Sequence, residues 1–273
     1  MADRNMTRFT RHRYHTTREG MVMRFPPSDQ LVVAELPDVV DPFLESVDQK
    51  FPLGTELWYA ERKFRYAKAG GTALARSKMM QQTVPLAGHL DEALTTIAAA
   101  GGFTVGFTAA ADPTDALLIN DLADGYLMIN QDATTGVADV YRIKSHPAMP
   151  GATSILITLY DPLLQAVPAA ALGTVLFNKY KNLIVTAAPP SAKVIGVTPI
   201  AVTASYYFWI QVAGPCACLL AGTVVIGDFV VPITTAGAVG PSVAVETDGP
   251  PVAQVLAVNA TTEYGLIDLH IEQ

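Results

Sequence analysis

Alternation of apolar and polar residues over short segments is the clearest regularity of this chain. Phe64 and Tyr66 alternate with Lys63 and Arg65, which is the two-residue period of a strand with one buried and one solvated face. The same period recurs over residues 265–272. Segments of this kind follow one another at intervals of about ten residues, and this spacing predicts an all-β fold built from sandwich or barrel modules.

Two pairs of segments have the pattern of β-hairpins, in which a short turn joins two strands. One pair lies within residues 51–71, and the other joins residues 124–130 to residues 137–145. Residues 153–160 are apolar on both faces, as expected of an inner strand. Residues 86–111 fit either a short helix or two strands, and we favour the strands.

The longest stretch without a charged residue lies between Lys193 and Asp228. Residues 204–215 hold the densest aromatic cluster of the chain and end at Gly214–Pro215, after which residues 216–227 resume as a strand-like segment. We interpret this region as strand, turn and strand. Its hydropathy also fits a membrane-spanning helix, but the prolines and glycines within it disfavour a helix interior.

Prolines suggest a division of the chain into three parts. Residues 1–45 show no helical periodicity and are interrupted by prolines, so we expect an extended arm that a partner orders. The pair Pro189–Pro190 is interpreted as a connection between two β-modules. The predicted modules are residues 46–190 and residues 191–273.

Low charge content indicates that copies of the chain associate. Only 16% of the residues are charged and half are apolar, whereas the surface of a free monomer normally carries more charge. We expect a homo-oligomer, most simply a trimer. Because neighbouring residues of a strand point to opposite faces, not every ring of the aromatic segment can point inward. The interface candidates are Tyr206, Tyr207, Phe208 and Trp209.

The net charge of −7 is unevenly distributed. Residues 1–24 carry a local charge of +4, because six of the ten arginines face only two acidic residues there. Guanidinium groups bind both phosphates and carboxylates. Since this segment lacks interleaved lysines and a recognised nucleic-acid-binding fold, we favour an acidic protein surface over nucleic acid as its partner. The candidate contacts are Arg4, Arg8, Arg11, Arg13, Arg18 and Arg24.

The sequence contains no nucleophile elbow, phosphate loop, zinc-protease motif, dinucleotide fingerprint or calcium loop. Cys216 and Cys218 face the same side of a strand, which suits neither a mutual disulfide nor a complete zinc site. Three of the five histidines, His89, His146 and His270, are far apart in the sequence. We therefore expect no catalytic residue, no cofactor and no metal, and we interpret both cysteines as small buried apolar residues.

Five segments of the chain resemble recurrent segments of tailed-bacteriophage virion structural proteins, of the head decoration or cement kind. They are residues 51–55, 63–70, 123–130, 141–148 and 207–215. The resemblance spans residues 51–273 and implies a non-enzymatic, β-rich, usually oligomeric protein. It also implies a position on the exterior of the virion capsid, where the major capsid protein is the partner and assembly takes place in the host cytoplasm. The resemblance implies no catalytic residue in this chain.

Two further function classes are weighed against a decoration protein. A tail or fibre protein that binds a host carbohydrate or receptor more often shows long repeats or a coiled-coil stalk, and this chain has neither. An enzyme such as a depolymerase needs a pair of carboxylates, for which no recognisable arrangement is found. We therefore favour the decoration protein, with neither membrane nor nucleic acid as its partner.

Overall fold

The computed structural model describes residues 13–16, 21–25, 40–95, 98–109, 116–130, 138–150, 153–168, 171–242, 250–259 and 263–272. These residues form eighteen strands and one 3₁₀ helix of three residues, Ala87–His89. The prediction of an all-β fold is confirmed. Within the same residues, no helix has the length and apolar character needed to cross a membrane.

The strands are numbered in chain order, and both predicted hairpins are present, as Glu56–Tyr59 with Arg62–Lys68 and as Tyr126–Asn130 with Ala138–Ser145. The first nine are β1 (Arg13–Thr16), β2 (Val22–Phe25), β3 (Glu56–Tyr59), β4 (Arg62–Lys68), β5 (Met79–Gln81), β6 (Glu92–Ala93), β7 (Thr104–Thr108), β8 (Tyr126–Asn130) and β9 (Ala138–Ser145). The remaining nine are β10 (Ser154–Leu159), β11 (Leu172–Leu176), β12 (Ile184–Val185), β13 (Val194–Val197), β14 (Tyr207–Leu219), β15 (Phe229–Pro232), β16 (Val239–Pro241), β17 (Ala253–Ala257) and β18 (Tyr264–His270).

The chain forms two compact units, and the second is inserted into the first. The first unit consists of residues 1–27, 31–83 and 180–273, and the second of residues 28–30 and 84–179. This division differs from the predicted modules 46–190 and 191–273. The physical reason is that β4 from the first predicted module pairs directly with β14 from the second, so both belong to one sheet.

The loop around Pro189–Pro190 is held within the first unit and is not a linker. The buried amide of Gln81 lies beside this loop, where its oxygen accepts hydrogen bonds from the backbone N–H groups of Ala187 (3.0 Å) and Ser191 (3.3 Å). Its nitrogen donates to the Ser191 hydroxyl at 2.9 Å. A buried amide that is satisfied in this way fixes the backbone on both sides of the prolines.

Twelve strands form the sheet of the first unit, and most follow the order β1-β2-β3-β4-β14-β18-β17-β15-β16. Strand β5 pairs with β12 and β13, and β13 also pairs with β14. At the far end, Leu220 and Val239 form a parallel bridge, in which the N–H of Ala221 donates to the Val239 carbonyl at 3.0 Å. This contact returns the last strand to the end of β14, so the second half of the sheet curves towards a closed barrel.

Strand β14 is the centre of this unit because it belongs to two hydrophobic clusters. Its first half pairs with β4 and packs in a cluster that contains Phe51 and Tyr66. Its second half pairs with β18 and packs in a cluster that contains Val230 and Ile267. The segment predicted as strand, turn and strand is therefore one strand of 13 residues.

Gly214 and Pro215 bend β14 without ending it. Gly214 has a φ of +83°, which glycine adopts at little cost. The side-chain nitrogen of buried Gln211 lies 3.1, 3.1 and 2.9 Å from the carbonyl oxygens of Ala213, Gly214 and Pro215. A Cβ atom at position 214 would lie 2.4 Å from the Glu61 carbonyl oxygen. The predicted turn is absent because this local network satisfies the bent backbone.

The described part of the predicted arm is extended, as expected, but it belongs to the sheet. Strand β1 pairs with β2, and β2 pairs with β3. Met21, Met23 and Val40 are buried in the same cluster as the first half of β14. Part of segment 1–45 therefore contributes to the core of the first unit, while residues 1–12, 17–20 and 26–39 lie outside the described residues.

The second unit is a six-stranded sheet in the order β6-β11-β8-β9-β10-β7. Leu94, directly after β6, bridges to Phe107 of β7, and this pairing closes the sheet on itself. Gly173 permits close packing at this point, since a Cβ atom there would lie 2.6 Å from Leu94. Of the two strands favoured in residues 86–111, the second is present as β7, whereas the first, predicted at residues 95–97, lies largely outside the described residues. Strand β6 lies just before that position, and a short helical turn precedes it.

We expect Gly214→Ala to destabilise the first unit by about 1–3 kcal/mol, because alanine is strained at this φ and its methyl group meets a carbonyl. Gly71→Ala is the matched control, since no atom lies within 4 Å of a Cβ at that exposed position. It should change the free energy of unfolding by less than about 0.5 kcal/mol. Urea denaturation measures both, and equal effects of the two substitutions would contradict the argument.

Candidate functional site

Two of the four predicted interface aromatics lie in the core. Phe208 and Trp209 are buried, and the Trp209 ring centroid lies 5.3 Å from that of Phe51 and 5.1 Å from that of Tyr66. Tyr206 and Tyr207 are half-buried and pack against the same cluster. The rings are enclosed because this half of β14 is covered on both faces. The expected exposed interface therefore does not exist at Phe208 and Trp209.

Most of the predicted contact arginines fall outside the part of the chain that the structure describes, namely Arg4, Arg8, Arg11 and Arg18. Arg13 lies in β1, and Arg24 lies in β2 opposite Glu56 of β3. Arg24 is half-buried. The structure therefore brings one of the six arginines beside a carboxylate of the same chain, and the partner of the remaining segment stays a prediction.

Two of the four basic residues of β4, Lys63 and Arg65, are neutralised within the chain. Glu56 lies 3.5 Å from the Lys63 ammonium group and 3.0 Å from the Arg65 guanidinium group. The Nε of Arg65 also donates to Glu272 at 2.7 Å. Lys63 and Glu56 are buried, so each charge is stabilised by its partner. These cations are therefore unsuited to binding an external anion.

Aromatic side chains complete this charged cluster. The indole N–H of Trp58 donates to Glu56 at 2.7 Å, and the hydroxyl of buried Tyr180 donates to Glu272 at 2.5 Å. Burial of Tyr180, together with the negative charge of Glu272, raises the pKa of the Tyr180 hydroxyl well above its usual range. The phenol therefore keeps its proton and acts as a permanent hydrogen-bond donor to the carboxylate.

Arg62, the first residue of β4, is in a different environment. Its guanidinium carbon lies 5.1 Å from the ring centroid of Tyr59, 5.5 Å from that of Phe43 and 5.8 Å from that of Phe64. Phe43 is 40% exposed and Tyr59 is 38% exposed. We call Phe43, Tyr59 and Arg62 the hairpin-tip surface, because Tyr59 and Arg62 are paired at the end of the β3–β4 hairpin and Phe43 contacts Arg62.

A second exposed surface lies on β15, β17, β18 and the loop before β15, where large apolar side chains flank Gln254 and Asp268. We call it the outer apolar face, and six large side chains on it expose between 40% and 62% of their surface: Val225, Ile226, Phe229, Leu256, Tyr264 and Leu266. The loop before β15 is attached to β17, because Gly227 donates to the Val255 carbonyl at 2.8 Å. Contiguous apolar surface of this kind marks an interaction site.

A groove of about 800 Å³ lies in the first unit and is lined mainly by proline rings and aliphatic side chains. Its prolines are Pro189, Pro190, Pro232, Pro241, Pro250 and Pro251. Lys193 and His270 supply its charged or titratable groups, and His270 contacts Asp268 at 3.2 Å. The groove can accept an apolar group.

In the second unit, Asp124 and His146 form hydrogen bonds that hold the local structure in place. Asp124 accepts hydrogen bonds from Arg142 (2.9 Å) and Tyr160 (3.0 Å). His146 accepts a hydrogen bond from the N–H of Leu122 on Nε2, so its proton lies on Nδ1, which contacts the Pro147 carbonyl at 2.6 Å. This tautomer leaves buried His146 neutral. It is tied to the backbone on both nitrogens.

The two cysteines are free and lie on β14. Burial raises the pKa of Cys218 to about 12 and raises that of Cys216 well above its usual value, so both thiols stay protonated and weakly nucleophilic at neutral pH. Among the residues described, no group of three or more His, Cys, Asp or Glu side chains is arranged to hold a metal ion. The hairpin-tip surface and the outer apolar face thus remain the candidate binding surfaces.

Sequence reasoning identified neither surface as a site, although the hairpin that it predicted within residues 51–71 contains Tyr59 and Arg62. The signal that could have pointed to the hairpin-tip surface is the presence of arginine, tryptophan and tyrosine in one short hairpin. Phe43 is separated from that hairpin in the sequence, so its contact with Arg62 required the fold. Comparisons with protein-family models, with curated proteins and with solved structures find no match to this chain.

We expect Arg65→Ala to destabilise the protein by about 3–5 kcal/mol, because it leaves the carboxylates of Glu56 and Glu272 without their shared cation. Arg76→Ala is the matched control, since Arg76 is exposed and its loss should cost less than about 0.5 kcal/mol. Chemical denaturation gives both values. An Arg65 variant as stable as the control would show that the cluster contributes nothing to folding.

Proposed function

We propose that this protein is a virion structural protein of a tailed bacteriophage, of the head decoration kind. In this proposal it binds the outer surface of the capsid and stabilises contacts between major capsid proteins, and it acts through surfaces rather than through catalysis. The single observation that carries the proposal is the outer apolar face. Segments that resemble decoration proteins supply the choice of partner, and they fall largely on β4, β8, β9 and β14.

The outer apolar face supports a protein that works in an assembly. Removing apolar surface from water stabilises an interface by roughly 25 cal/mol per Å², and large exposed patches on monomers usually mark an interaction site. Phe229 and Leu266 are 57% and 42% exposed on this face. We assign the contact between copies to this face, and not to Tyr206–Trp209 as the sequence predicted, because Phe229 and Leu266 are accessible.

Attachment to the capsid is assigned in the first place to the arginines of residues 1–24. Each exposed arginine–carboxylate pair contributes only about 0.2–1 kcal/mol. An oligomer holds several such segments together, so that weak contacts reinforce one another through effective concentration. Because exposed charges are screened over about 8 Å at physiological ionic strength, the attachment should weaken as salt increases.

The first test is binding to phage heads that lack the protein, measured by cosedimentation at two salt concentrations. Replacing three arginines by serine (Arg4→Ser, Arg8→Ser and Arg11→Ser) should weaken binding and reduce its salt dependence. The control replaces three exposed cations elsewhere (Lys50→Ser, Arg76→Ser and Lys193→Ser) and should leave binding unchanged. If the wild-type protein binds host-cell surfaces but not heads, the tail or fibre function replaces this proposal.

The second test concerns self-association. Light scattering at micromolar concentration should give a mass about three times that of the 29.0 kDa chain. Phe229→Ser combined with Leu266→Ser should shift the protein towards monomer, because it removes apolar side chains from the proposed contact. Leu164→Ser is the control, since Leu164 is 69% exposed in the second unit. A stable wild-type monomer would contradict the oligomer.

A further inference from the structure

The hairpin-tip surface holds a guanidinium group whose charge no carboxylate neutralises within the described residues. Lys63 and Arg65 of the same strand pair with Glu56, whereas Arg62 lies among the rings of Phe43 and Tyr59. We propose that this surface docks a carboxylate-bearing loop of the protein to which the chain attaches. The inference rests on the proposed function and adds a second attachment site to the N-terminal arginines.

Aromatic contacts leave Arg62 ready to bind a carboxylate. Rings pack against a guanidinium group through cation–π attraction and stacking. Within the described residues, no hydrogen-bond acceptor contacts the N–H groups of Arg62, so its N–H fork is available to a ligand. That fork matches the two oxygens of a carboxylate. Since the rings already limit the movement of the side chain, binding costs less conformational entropy than for a freely moving arginine.

The backbone beneath Phe43 is also held in place. The N–H of Phe43 donates to the Asp41 carboxylate at 2.7 Å. Ser46 and Tyr207 exchange two backbone hydrogen bonds of 2.9 and 2.8 Å. Glu45 accepts hydrogen bonds from the backbone N–H and the hydroxyl of Thr203. Phe43 therefore lies on a segment whose backbone is hydrogen-bonded to the start of β14, and its ring contacts Arg62 at the hairpin tip.

The composition of the surface fits a protein partner better than nucleic acid. Tryptophan, tyrosine and arginine dominate the residues that carry binding energy at protein interfaces, and here Tyr59 and Arg62 lie side by side on one face of the hairpin. Nucleic acid would require several cations that contact successive phosphates, whereas Arg62 is the one cation of the hairpin-tip surface.

Three variants test this surface on intact heads. Arg62→Glu should weaken cosedimentation by tenfold or more, because it places a carboxylate against the proposed carboxylate. Tyr59→Ser should weaken it several-fold by removing one ring. Arg76→Glu makes the same charge change at an exposed position of the same unit and should leave binding unchanged. Urea denaturation establishes that each variant is folded, so Tyr59→Ser still decides the question if Arg62→Glu does not fold.

A chemical readout identifies the docked group. In an R62K variant, the ammonium group replaces the guanidinium group, and a carbodiimide joins it to a carboxylate in direct contact. Peptide mapping should find this cross-link to an acidic residue of the particle protein. A cross-link to another copy of this chain, together with a changed mass of the Arg62→Glu variant in light scattering, would instead make the surface a subunit contact and overturn the inference.

The failures of the two proposals are distinguishable. If the wild-type protein binds heads and both Arg62→Glu and Tyr59→Ser bind equally well, the docking inference is overturned and the decoration function stands. If the wild-type protein does not bind heads at all, the decoration function fails and the docking inference fails with it. Loss of binding in both hairpin-tip variants, with the Arg76→Glu control unaffected, supports the inference.

Discussion

The first unit depends on a single strand that crosses two hydrophobic clusters without interruption. Strand β14 must bend between them, and the bend exposes backbone groups that a straight strand would pair with its neighbours. Gly214 supplies the φ of +83° that the bend requires, and Gln211 lies within hydrogen-bond distance of three of the carbonyls. An unsatisfied buried carbonyl would cost about 1–3 kcal/mol. The bend therefore persists because one amide side chain satisfies it.

The same strand explains where charge lies in this unit. Strand β4 pairs with β14, so the middle of β4 is buried and its cations require carboxylate partners. Glu56 and Glu272 provide those partners for Lys63 and Arg65. Arg62, the residue before Lys63, is half-buried at the hairpin tip, and no carboxylate of the described residues pairs with it. Partial access to solvent reduces the free-energy cost of this charge. One strand thus carries both a structural ion cluster and a candidate binding residue.

Exposed apolar side chains identify a candidate binding surface of this protein. Residues at the middle of β15, such as Val230, point into a cluster, whereas Phe229 beside it points outward. A strand alternates its side chains between two faces, so a fully apolar strand exposes apolar surface unless both faces are covered. The outer apolar face arises from this geometry, and an assembly is one way to cover it.

The sequence alone determined the all-β class, both hairpins and the burial of Cys218, because these follow from residue period, turn chemistry and apolar content over short distances. It also placed the densest aromatic segment on a strand. Only the tertiary structure decided that Phe208 and Trp209 are enclosed, that Arg62 meets Phe43, and that residues 84–179 are inserted within a unit formed by both ends of the chain. These features rest on pairings between strands far apart in the sequence, and local periodicity contains no information about which distant strand becomes a neighbour.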